Sequence, residues 1–169
     1  MKYKTSRGFT LIELLVVIAI IGVLSAVVLA SLNTARSKGN DAGVKANLST
    51  VKTQAALFLS DNSNAYGVFN NGSGAPATCP VSGTAGATVF HNATIENAIA
   101  AAKVDSSGGA TACYSTNTEY AVVVARPADV AAQTSTYWCV DSSGVSCGVN
   151  SLTLSSPGAP SCGTCASTQ

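Results

Sequence analysis

Residues 9–32 form a run of 24 with a single ionisable group, Glu13. As an α-helix such a run is about 36 Å long, enough to cross a hydrocarbon core of about 30 Å. Lys2, Lys4 and Arg7 stand in front of it, the basic flank expected on the cytoplasmic side of a membrane. Arg36, Lys38 and Lys45 follow closely and blunt that asymmetry, but a long C-terminal domain translocates largely regardless of such charges. Six cysteines favour an oxidising compartment for the remainder. The expectation is a single-pass chain with its N-terminus inside and residues 33–169 outside.

Glu13 needs a reason. A carboxylate inside an apolar run costs on the order of 2.5–3.5 kcal/mol at mid-bilayer. Its place near the helix start, close to headgroups and the favourable end of the helix dipole, lowers that cost without explaining the residue. Gly8-Phe9-Thr10-Leu11-Ile12-Glu13-Leu14-Leu15-Val16-Val17-Ile18-Ala19-Ile20-Ile21-Gly22 resembles the class III signal of type IV pilins and type II secretion pseudopilins. The match extends from Arg7 to about Ala30.

The resemblance implies that a membrane prepilin peptidase cuts after Gly8 and methylates the new N-terminus, Phe9. It also implies that Glu13 meets the Phe9 amine of a neighbouring subunit during filament assembly. Physical chemistry agrees: in lipid, a matched ammonium and carboxylate neutralise each other, whereas either alone is costly. Such a pair forms only at the correct axial offset, so it sets register. Gly8, without a Cβ, gives a protease close access to the backbone. A rival cut is legible too. Val28-Leu29-Ala30 before Ser31 passes as a conventional signal-peptidase site, although Glu13 then lies inside the signal's apolar core. Many pilins carry a proline at the position of Ala30, but the first proline here is Pro76. Any bend in the helix is therefore expected at Gly22, Gly39 or Gly43.

Beyond the apolar run, Val44, Leu48, Val51, Ala55 and Phe58 recur at steps of four and three, an amphipathic stripe with Lys45, Lys52 and Gln54 off it. One helix from Phe9 to about Ser60 is expected, ended by the turn formers Asp61-Asn62-Ser63-Asn64. Tyr66 to Gly86 reads as a long loop, and Ile95 to Lys103 as a short helix capped by Asn92 or Thr94. Glu119–Ala125 and Thr136–Asp141 read as strands, and Ser142-Ser143-Gly144 turns the second into Val145–Val149 as a hairpin. Ser151–Leu154 is a further candidate strand, and the end from about Ser155 to Gln169 is expected to be irregular. The fold class is α+β: a long N-terminal helix, transmembrane in its first half, packed on a small antiparallel sheet. The domain plan is a leader at 1–8, the membrane half of the helix at 9–32, its soluble half at 33–60 and a head at 61–169.

Charged residues make up 10% of the chain, against roughly a quarter in a typical soluble domain. A formal charge of +1 argues against a basic nucleic-acid-binding domain, and no direct nucleic-acid site is identifiable. Loss of Lys2, Lys4 and Arg7 with the leader turns +1 into −2. A nearly neutral head, solvated by Ser, Thr, Asn and Gly, packs against copies of itself with little repulsion. Cys79, Cys113, Cys139, Cys147, Cys162 and Cys165 make an even six, consistent with up to three disulfides. Six cysteines allow fifteen connectivities; the hairpin would bring Cys139 and Cys147 near each other.

Several fragments imitate chemistry and fail on context. Cys162-Gly163-Thr164-Cys165 lacks a second close pair for zinc, and the single histidine, His91, is far away. Nor does it open a helix after a strand as a thioredoxin-like motif does, so a structural disulfide is favoured. Ser49-Thr50-Val51-Lys52 and Ser60-Asp61-Asn62 match two motifs of penicillin-recognising enzymes but lie about 16 Å apart along one helix, without a K-T-G. Asp61-x-Ser63 resembles the start of a calcium loop, with Gly72 where the closing glutamate belongs. His91 reads as a solvated or locally bonded loop residue. No catalytic residue, metal site or cofactor is expected.

The reading is a non-enzymatic structural subunit of a type IV pilus-like filament. Its partners are other subunits, the prepilin peptidase, the assembly platform and the membrane. The alternatives are a type II secretion pseudopilin or a minor pilin for DNA uptake, and, more remotely, an exported binding domain on a membrane anchor.

Overall fold

The computed structural model describes residues 8–69, 77–80, 83, 86–127, 135–150, 162–163, 165 and 167–168. The chain divides into two compact units, Met1–Arg36 and Ser37–Gln169. Helix α1 spans Leu11–Asp61 and contributes residues to both. Within it Gly22, Gly39 and Gly43 all stay helical.

In the second unit, α1 buries Ser37, Asp41, Val44, Leu48, Val51 and Ala55, one stripe at steps of four and three. The expected stripe is thus present, with Phe58 half-buried, and it extends backwards through two polar residues. A 3-10 turn (Val89–His91) leads into helix α2 (Ala93–Asp105). Of the two candidate caps, Asn92 does the work: its side chain accepts from the N–H groups of Thr94 and Ile95. Gly43 has a packing role, because a Cβ there would stand 2.5 Å from Asp105 Oδ2 at the end of α2. Asp105 also accepts a hydrogen bond from Asn47 at 3.0 Å, tying α2 to α1. Lys52, the lysine of the penicillin-enzyme lookalike, donates to the Gly144 carbonyl at 2.7 Å, while Ser49 is exposed.

The sheet runs in sequence order, β1-β2-β3-β4-β5, with every neighbouring pair antiparallel. Strands β2 (Tyr120–Ala125), β3 (Tyr137–Asp141) and β4 (Ser146–Val149) fall where expected. Strand β1 (Thr111–Ser115) is an addition. Its Thr-Ala-Cys-Tyr-Ser sequence has little β-branched content, and its pairing with β2 creates it. The free edge of β1 is bridged at Phe69↔Ser115 and Ala77↔Cys113, so the described parts of the expected 66–86 loop cover a sheet edge. The tail is not wholly irregular: Ser167–Thr168 forms β5 on the edge of β4. The candidate strand at 151–154 lies outside the described residues.

Both faces of the sheet are buried. The inner face supplies Cys113, Tyr120, Val122, Val124, Trp138 and Val140 to a core shared with α1, α2 and the 3-10 turn. The outer face supplies Ala112, Tyr114, Ala121, Val123, Cys139, Cys147 and Val149 to a second cluster, joined by Cys162 from the C-terminal segment. That double burial explains the unbroken apolar reading of Tyr120–Ala125. Tyr66 and Tyr120 meet edge to face at 4.9 Å between ring centroids. Burial pushes both phenols above the ordinary tyrosine range.

All six cysteines are paired: Cys79–Cys113, Cys139–Cys162 and Cys147–Cys165. Cys139 and Cys147 do lie opposite each other in the β3–β4 register, as the hairpin implies. Each, however, is bonded to the C-terminal segment rather than across the strands. The hairpin turn closes on Asp141, whose Oδ1 accepts from Ser143 N, Ser143 Oγ and Val145 N. Gly144 completes it at φ 88°, a left-handed conformation that favours glycine.

Candidate assembly site

Gly8, Phe9 and Thr10 precede the first turn of α1 and are exposed. A Cβ on Gly8 would meet nothing within 4 Å, so this unit's own packing does not require a glycine there. Thr10 is the last residue before the helix, and its carbonyl accepts from Leu14 N at 3.3 Å. Glu13 folds back on it: Oε2 accepts from Thr10 N at 2.9 Å and from Thr10 Oγ1 at 2.7 Å. In return Thr10 Oγ1 accepts from Glu13 N at 3.2 Å. This reciprocal pattern is a capping box, satisfying donors that a helix N-terminus otherwise leaves open. Sequence reasoning missed the role of Thr10, although Thr10-x-x-Glu13 carries the Ser/Thr-x-x-Glu signature. Among the described residues Glu13 Oε1 takes no hydrogen bond, so one oxygen is engaged and one is open.

Behind this terminus the helix is bare. Every large apolar side chain at 9–32 is exposed, from 49% at Val16 to 87% at Phe9. Among the described residues one helix is long and apolar enough to cross a membrane, with a mean hydropathy of 3.0 in its most apolar window and none of that window buried. An apolar surface of this extent marks contact with lipid or other protein.

The prokaryotic N-terminal methylation motif matches residues 3–29, the segment that holds Gly8, Phe9 and Glu13. The chain is also 34% identical over 114 residues to the type IV wide pilus major component PilA4 of Thermus thermophilus, an alignment covering 57% of this chain and 87% of that relative. The chain belongs to the type IV pilin family. No solved structure matches it.

The second unit of this pilin holds a polar cluster that the sequence did not reveal. Asp41 Oδ1 accepts from Arg126 Nε at 2.8 Å and from Trp138 Nε1 at 2.9 Å, while Oδ2 accepts from Arg126 Nη2 at 3.1 Å. Lys45 reaches the same carboxylate at 3.4 Å, and both cations lie over the Trp138 ring at 4.3 and 4.5 Å. Burial alone pushes the Asp41 carboxyl up. The Arg126 and Trp138 hydrogen bonds and the charges of Arg126 and Lys45 outweigh it and hold the group below the usual carboxylate range. The cluster joins α1 to β3 and to the residue following β2. Its one foreshadowing was Asp41 on a buried-stripe position, three residues before Val44.

His91 shares a 2.7 Å hydrogen bond with Thr88 Oγ1 and packs edge-on to Phe69, a locally bonded residue as expected. The position of Gly72, which closes the calcium-loop lookalike, lies outside the described residues.

Proposed function

We propose that this chain is a structural subunit of a type IV pilus filament, assembled through its N-terminal helix and performing no chemistry itself. The observation that carries the reading is the bare apolar surface of residues 9–32 with one carboxylate at its start. Lipid covers that surface before assembly and neighbouring helices cover it afterwards. Before assembly the N-terminus lies on the cytoplasmic side and residues 33–169 lie outside.

Prepilin peptidase acts on the Gly8–Phe9 bond, which precedes the helix in an exposed stretch. Gly8 has no packing role in its own fold, which fits a residue kept for the enzyme that reads it. Cleavage creates the Phe9 amine, which is methylated and keeps its positive charge. Thr10 holds Glu13 through Oε2 while the subunit waits in the membrane, so the carboxylate is not left bare in an apolar setting. Oε1 then receives the Phe9 ammonium of the adjacent subunit, and mutual neutralisation fixes axial register.

Glu13→Ala tests this directly. The variant is expected to insert and be cleaved normally, yet to yield no filaments by electron microscopy. Filaments at wild-type number from Glu13→Ala would remove the register argument. Filament counts on cells with and without the gene also separate a surface pilin from a pseudopilin.

A further inference from the structure

Four of the six cysteines meet on the outer face of the sheet. Cys139 and Cys147 are directly opposite across β3 and β4, yet they are bonded to Cys162 and Cys165 at Cα separations of 5.6 and 5.7 Å. Opposed residues on antiparallel strands have Cα atoms about 4.5–5.5 Å apart. That lies inside the span of about 4.4–6.8 Å that a disulfide bridges. Cys162 and Cys165, for their part, are separated by Gly163 and Thr164 alone, the Cys-X-X-Cys spacing of dithiols that close on themselves. Each of the four sulfurs therefore has a second partner that the fold or the chain places within reach.

We infer that these four cysteines form a disulfide-exchange quartet. A thiolate converts Cys139–Cys162 with Cys147–Cys165 into Cys139–Cys147 with Cys162–Cys165, removing the covalent ties between the C-terminal segment and the sheet without net oxidation or reduction. Exposure sets the order of events, because Cys165 is exposed whereas Cys139, Cys147 and Cys162 are buried. A low-molecular-weight thiolate attacks Cys165 Sγ; the bond to Cys147 breaks and Cys147 leaves as a thiolate. Cys147 Sγ then attacks Cys139 Sγ opposite it, and Cys162 leaves as a thiolate. Cys162 Sγ attacks Cys165 Sγ in the mixed disulfide and expels the original thiolate. Two disulfides enter and two emerge, and the external thiol is regenerated.

The third bridge stands outside this exchange. Cys79 and Cys113 are buried in the inner cluster, on the opposite face of the sheet from Cys139 and Cys147. After exchange, two non-covalent ties among the described residues still hold the C-terminal segment. Cys162 N donates to Asp141 Oδ2 at 2.9 Å, and β5 pairs with Cys147 and Gly148 of β4. Both ties are short, so release opens the edge of β4, a template for pairing with another strand.

The test uses full-length mature protein in detergent, held without oxygen with substoichiometric reduced glutathione. Samples are quenched by acid and alkylation, digested without reduction and mapped by mass spectrometry. Peptides joined through Cys139–Cys147 and Cys162–Cys165 are expected to appear in equal amounts as the original two pairs are lost. Cys79–Cys113 is expected to persist, and hydrogen exchange at Cys147 and Gly148 to rise in the exchanged fraction. A Cys147→Ser variant supplies an independent arm. Its Cys165 thiolate attacks Cys162 and frees Cys139, so the Cys162–Cys165 peptide forms with no added thiol. Retention of the original pairs under glutathione, or new pairs recruiting Cys79 or Cys113 at the same rate, overturns the quartet. So does a Cys147→Ser protein that keeps only Cys139–Cys162.

Discussion

The two stretches of α1 are helical for different reasons. Before Ser37 the helix buries none of its residues, while from Ser37 onward it buries one in every three or four along a single stripe. The first stretch is rich in Val and Ile, which are middling helix formers in water. In lipid that propensity matters little, because only a helix satisfies its own backbone N–H and C=O groups there. The second stretch is held by burial of Val44, Leu48, Val51 and Ala55 against the sheet and α2. One secondary structure thus answers to two solvents, and substitutions should report which solvent a residue meets.

The largest expected effect on the fold of the second unit is at Asp41. Asp41→Ala leaves the Arg126 side chain, 9% exposed, without its bidentate partner, and such a broken pair costs up to about 3–5 kcal/mol. Urea unfolding followed by the fluorescence of the single tryptophan, Trp138, reads it. The same carboxylate shapes acid behaviour. Its folded-state pKa lies below the unfolded value of about 3.9, so its stabilisation is complete above that pH and is lost as pH falls through the lower folded-state value. Asp41→Asn should therefore flatten that part of the acid limb of stability against pH.

A matched pair of leucines breaks the comparison or sharpens it. Leu48→Ala removes a side chain 2% exposed in the core and should cost about 2–5 kcal/mol. Leu15→Ala, at 55% exposed, should move the same unfolding curve by no more than about 0.5 kcal/mol. Equal losses at the two positions would mean that the halves are not separately stabilised. Within the second unit a smaller loss than that of Leu48→Ala belongs to a cap: Asn92→Ala should cost about 1 kcal/mol, read as a shifted urea midpoint with unchanged slope.

Features written in local spacing were legible in the sequence, and features made by distant partners were not. The α1 stripe, α2 with Asn92 and the β3–β4 hairpin each follow from residues a few positions apart. Strand β1 exists because β2 pairs with it, and its own Thr-Ala-Cys-Tyr-Ser gives little sign of a strand. Asp41 meets Arg126 and Trp138 across 85 and 97 residues, so one polar residue on an apolar stripe was the whole trace. The opposition of Cys139 and Cys147 was readable from the turn, but their bonding partners sit in a Pro/Gly/Ser-rich tail whose course no local rule sets. At the candidate assembly site Glu13 stood out by its charge. Thr10 hid among neutral residues, though it completes the capping box.

The most direct test of a pilin that assembles through this helix is mass spectrometry of the protein recovered from sheared filaments. The expected N-terminus is N-methylated Phe9, with six cysteines in three disulfides and Gly8 removed. An N-terminus near Ser31 would contradict that assembly, because the helix start, Glu13 and the whole apolar surface would then be missing from the mature protein.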